Sequence, residues 1–135
     1  MRKALTLLVA LLLANLALAQ NKPLACQVDA AAGLKWENGQ WRIARFIEGK
    51  FILVLQGNTL TKESVAKVLD LRHPSQVTCS VEPLEKMITC ADLSGGTLIF
   101  QPENLKGGTS HLFGSSESND ERDTISVEAF TCRPY

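Results

Sequence analysis

The sequence predicts a mainly β domain: a small antiparallel barrel, or barrel-like sandwich, with one short helix and two disulfides. Three observations point there. An Asn-Gly turn sits between strands of strict alternation, only one stretch has helical periodicity, and the chain carries an even set of four cysteines behind an export-like start.

The start has the three parts of a secretory signal. Arg2-Lys3 are basic, Ala4 to Leu16 are mostly apolar, and Ala17-Leu18-Ala19 form an A-x-A cleavage site. Residues 1–19 are therefore expected to be removed, leaving residues 20–135 as one domain. Leu24-Ala25-Cys26 resembles the end of a lipoprotein signal, which would place a lipid on Cys26. Lys22 and Pro23 interrupt the apolar run that such a site needs, so the soluble reading, with no lipid on Cys26, is favoured. Cleavage removes two of the 14 basic residues and none of the 14 acidic ones, giving a net charge of −2. With no lysine or arginine run, a nucleic-acid partner is not expected. No second apolar stretch is long enough to span a membrane as a helix.

The first element is a hairpin. With Asn38-Gly39 at its tip, Glu37 faces Gln40, Trp36 faces Trp41, Lys35 faces Arg42 and Leu34 faces Ile43. One face is then Leu34, Trp36, Trp41 and Ile43, and the other is polar. A second turn at Glu48-Gly49 would pair Phe46 with Phe51, and the broken alternation between Ile43 and Phe46 suggests a bulge or bend there. Phe51 to Leu55 is continuously apolar, as in a strand covered on both sides. Thr61 to Asp70 is the helix, with Thr61 placed to accept the first free N–H groups and Val65, Val68 and Leu69 on one face. His73-Pro74 lies beyond it.

Strands are expected at Val77 to Val81 and Met87 to Ala91, joined through 82–86. A symmetric register about that connection sets Cys79 opposite Cys90. Four cysteines allow three connectivities; if Cys79 takes Cys90, Cys26 takes Cys132 and ties the first strand to the last, as a closing barrel requires. Ser94-Gly95-Gly96 turns into a strand over Thr97 to Gln101. Pro102 to Gly108 reads as loop, Thr109 to Phe113 as a short strand, Ser115 to Asp123 as a polar loop and Thr124 to Cys132 as the last strand.

Chemistry-bearing motifs are sparse. His73 precedes a proline in a loop. His111 neighbours Ser110, but alternation sends the two to opposite faces of a strand, which weakens a Ser–His couple. No C-x-x-C, zinc-finger spacing, P-loop or G-x-S-x-G occurs, and no catalytic residue, metal or cofactor is expected. The four carboxylates between Ser115 and Asp123 lack the residue order of a calcium loop. Trp36, Trp41 and Phe51 read chiefly as core; as a ligand cavity they are the best lead to a small-molecule site.

In the spacing of Trp36, Trp41, Phe51, Cys79, Cys90, Phe100 and Cys132, the chain resembles small uncharacterised exported proteins of Gram-negative bacteria, and this resemblance implies a periplasmic location. Ser94-Gly95-Gly96-Thr97-Leu98 is similar at its first two positions to the S-G-x-x-Y loop of bacterial c-type lysozyme inhibitors, with Leu98 in place of tyrosine. That similarity implies a hydrolase-inhibiting loop at Ser94, Gly95 and Gly96. The expectation is thus a non-enzymatic, periplasmic or secreted binding module for a protein or small ligand. Mass spectrometry of the protein recovered from export should show an N-terminus at Gln20 and no diacylglyceryl mass on Cys26.

Overall fold

Asn38 and Gly39 both take positive φ angles, 51° and 78°, and the two-residue turn they make sets the first register. Around it β1 (Asn21–Glu37) pairs with β2 (Gln40–Arg45), Trp36 opposite Trp41 and Leu34 opposite Ile43, as the alternation predicts. The computed structural model describes residues 21–112 and 124–135; the expected signal segment lies outside them.

β3 (Lys50–Gln56) does not continue the hairpin. Phe46 and Phe51 are not paired. β3 returns to the same edge of β1 and pairs with its first half, Cys26 opposite Phe51 and Asn21 opposite Gln56. At 17 residues, β1 is long enough to seat β2 and β3 end to end. The apolar content of β3 favours this place: Leu53 is wholly buried opposite Leu24, whereas pairing with β2 would set Arg45 against Ile52. Asn21, Lys22 and Pro23 are accordingly strand.

After β4 (Thr59–Leu60) comes α1 (Lys62–Val68), within the expected 61–70. Thr61 is its N-cap, but its hydroxyl takes no backbone N–H. It donates instead to Ser64 Oγ at 3.0 Å, while Ser64 Oγ donates to the Thr61 carbonyl and accepts the Val54 N–H at 3.2 Å. Ser64 thereby ties the helix to β3. Val65, Ala66 and Leu69 enter the common core beside Leu53, Leu60, Val77, Ile88 and Leu98.

The remaining strands form a meander: β5 (Thr78–Val81), β6 (Ile88–Ala91), β7 (Gly96–Gln101), β8 (Lys106–His111) and β9 (Thr124–Pro134). The β5–β6 register sets Cys79 opposite Cys90, as expected. β8 begins three residues before the expected Thr109, taking in Gly107 and Gly108. Gly107 lies between Phe100 on β7 and Phe130 on β9, whose rings stack 6.3 Å apart at 12°. A Cβ on Gly107 would come within 2.4 Å of the Phe130 ring, so the strand runs through a glycine because the aromatic pair occupies its side-chain space. Phe51 packs edge-on against Phe130 at 5.0 Å.

The strand order is β4-β3-β1-β9-β8-β7-β6-β5, with β2 beside the second half of β1. The sheet curls into a nearly closed eight-stranded antiparallel barrel, with β4 approaching β5 across the remaining seam. First and last strands are adjacent, but they form an internal pair of the sheet and not its seam. Cys26–Cys132 joins β1 to β9, with Cα atoms 3.9 Å apart, and Cys79–Cys90 joins β5 to β6 at 4.0 Å.

The two bridges close loops of very different length, with sequence separations of 106 and 11. In the chain-entropy model these contribute about 4–5 and about 3 kcal/mol. Urea unfolding should therefore show a larger loss for Cys26→Ala/Cys132→Ala than for Cys79→Ala/Cys90→Ala, by roughly 1–2 kcal/mol.

Candidate outer-face binding site

β1 and β9 pair through eleven residue couples, but with one residue to spare. Val28 faces Phe130 and Ala30 faces Ala129, so Asp29 is an extra residue on β1. Thr131 Oγ1 donates to Asp29 Oδ2 at 2.6 Å, and the Val28 N–H donates to the Gly49 carbonyl at 2.9 Å where the β2–β3 link passes.

One inserted residue exchanges the two faces of a strand. Before Asp29, Leu24, Cys26 and Val28 are buried in the barrel. Beyond it, Ala31 and Gly33 take the inner side. The Phe46 ring fills the space above Gly33, where a Cβ would come within 2.7 Å of Phe46 Cε2. Ala30, Ala32, Leu34 and Trp36 are turned outward.

That phase change builds an apolar strip on the outer wall. Across β2, β1 and β9 the rows are Trp41–Trp36, Ile43–Leu34–Ile125 and Arg45–Ala32–Val127; the next row runs Ala30–Ala129–Gly108–Ile99 into β8 and β7. Trp36 and Trp41 meet edge to face at 5.3 Å and 74°, each partly exposed. Ile43 is 89% and Val127 52% exposed. Cations share this wall. Arg45 lies beside Ala32, the row Lys50–Gln27–Thr131–Lys106 crosses β3 to β8, and Arg133 lies beside Ala25. Lys50 and Arg133 flank an open cleft of about 580 Å³ that residues Phe51, Ile52, Cys26 and Cys132 also line.

The aromatic residues of the expected cavity are thus divided. Trp36 and Trp41 are together on the outer face, whereas Phe51 is a barrel length away by register, against Phe130 and the cleft. Inside the barrel, Leu53, Ile88, Leu98, Phe100 and Phe130 are wholly or almost wholly buried and fill the space a ligand would need. The expected partner loop is also divided. Asp92 Oδ1 accepts the N–H groups of Ser94 and Gly96 and the Ser94 hydroxyl, which pins the turn. Leu93 projects at its tip, 98% exposed, but Gly96 is buried and Leu98, in the position of the inhibitors' tyrosine, is core.

His73 is exposed, its N–H donating to Gln76 Oε1 at the start of a short 3-10 turn (Pro74–Gln76). His111 shares the inner side of β8 with Thr109, whose hydroxyl donates to Glu128 Oε2 at 3.1 Å; Ser110 has the opposite orientation, as expected. Among the described residues no three His, Cys, Asp or Glu side chains gather as a metal site, and no helix is long and apolar enough to cross a membrane. The carboxylate-rich stretch from Ser115 to Asp123 lies outside the described residues. Comparison with protein-family models, curated proteins and solved structures gives no match.

Ile125, Val127, Arg45, Lys50 and Arg133 belong to this wall and escape a motif search. A trace of them is present in β9, where the apolar positions run Ile125, Val127, Ala129 and then shift phase to Phe130 and Cys132. A strand whose alternation slips in this way has apolar side chains on both faces.

Proposed function

We propose that this chain is an exported, non-enzymatic binding module that holds a partner protein against the outer face of β2, β1 and β9. The observation that carries the reading is the outward turn of the Leu34–Trp36–Trp41–Ile43 face, extended by Ile125 and Val127. An apolar face with two tryptophans at its hairpin end and arginine at its margin has the composition of protein-recognition surfaces. Cations at Arg45, Lys50, Lys106 and Arg133 favour a partner with acidic groups around an apolar centre. Two disulfides support a periplasmic or extracellular setting, as does the secretory pattern of residues 1–19. The short likeness to lysozyme inhibitors adds nothing to this reading, because Leu98 is unavailable to a partner.

The test is capture from periplasmic and extracellular fractions with three baits: wild type, Val127→Glu on the face, and Ser80→Glu on the outer side of β5. Wild type and Ser80→Glu should retain the same partner, and Val127→Glu should lose it. With the isolated partner, Trp36→Ala should weaken affinity by about 30-fold or more, the scale of a hot-spot truncation. Empty capture by folded wild type, or equal retention by all three baits, contradicts the reading.

A further inference from the structure

In the two-residue hairpin the closing pair Glu37–Gln40 is hydrogen-bonded, so Gln40, Arg42 and Ala44 direct their backbone groups toward β1. Trp41, Ile43 and Arg45 direct theirs away from it. Among the described residues, β2 has no strand on that side and none of these three residues has another backbone partner. Ile43, in the middle of this edge, is 89% exposed, and Ile47, just past its end, is 95% exposed.

We propose that this edge pairs with the same edge of a second copy, antiparallel and centred on Ile43. The register follows from which groups are free. Only odd-numbered positions of β2 offer outward N–H and C=O groups, and the register with greatest overlap sets Ile43 against Ile43, Trp41 against Arg45 and Arg42 against Ala44 of the second copy. Its three outward pairs each exchange two hydrogen bonds. It is also two-fold symmetric, as an isologous dimer requires.

Charge decides between an edge that repels its own kind and one that accepts it. Arginines on an edge strand ordinarily discourage pairing. Here neither arginine meets its own counterpart: Arg42 faces a small neutral residue, and Arg45 brings its positive charge to the negative ring face of a tryptophan. The two-fold axis runs perpendicular to the sheet, so the outer faces of both copies lie on one side. Their Trp36–Trp41 pairs then form one surface across the join. The contact is one hairpin wide, well below the roughly 1,200 Å² of a stable complex, so the dimer is weak and concentration-dependent. This inference does not rest on the docking reading above, since it needs no other protein.

Sedimentation equilibrium on the mature chain over a wide concentration range tests it. Wild type should fit a monomer–dimer equilibrium. Ile43→Arg, at an exposed position, should keep wild-type unfolding while its dissociation constant rises by about tenfold or more, because like charges then face one another. Arg45→Glu should weaken association as well. Val127→Glu separates edge from face, since it lies on the apolar wall but off the edge, and should associate as wild type does. A monomer at all concentrations, which leaves the edge to a foreign strand, overturns the proposal. So does association that survives Ile43→Arg or is abolished by Val127→Glu.

Discussion

β1 is hydrogen-bonded along both edges, to β9 on one side and to β3 and then β2 on the other, and it must meet β9 while carrying one residue too many. The Cys26–Cys132 bridge pins one end of that pairing; absorbing the surplus is Asp29, held by Thr131. Upstream of Asp29, β1 is a barrel strand. Downstream, the same alternation of apolar residues points the other way. Core and outer apolar wall are two halves of one strand separated by one residue.

The division has an energetic logic. Leu24, Cys26 and Val28 join Leu53, Phe130 and Cys132 in a core that needs no contribution from the tryptophans. Leaving Ile43 and Val127 in water forgoes about 25 cal/mol for each Å² of apolar surface not buried. That loss persists in a chain whose core is otherwise closely filled, with Gly107 and Gly33 each yielding side-chain space to a phenylalanine ring. Under the proposed function, a partner covers that surface and recovers the loss.

Local rules made much of this legible. Asn38-Gly39 with its flanking alternation yields the hairpin register, the symmetric connection after Val81 yields Cys79 opposite Cys90, and the remaining two cysteines then tie first strand to last. The seat of β3 is not legible, because Glu48-Gly49 is a plausible turn and the choice between β2 and β1 as neighbour depends on burial at distant residues. The bulge is less legible still. Leu24, Cys26, Val28, Leu34 and Trp36 keep one parity throughout, so nothing in β1 itself announces that Asp29 will divide them; only the phase slip at Ala129-Phe130 on the partner strand does. Pattern groups residues onto a face, but which way the face points depends on pairing.

The most direct test of that orientation uses the two tryptophans, which are the only ones in the chain and sit together on the hairpin. Acrylamide quenching of tryptophan emission, measured on folded mature protein at low concentration, reports whether they face solvent or the barrel interior. The outward face predicts substantial quenching in the native state, with a Stern–Volmer slope that rises only modestly on unfolding. Emission shielded from acrylamide until the protein unfolds would place both rings in the core and contradict the account.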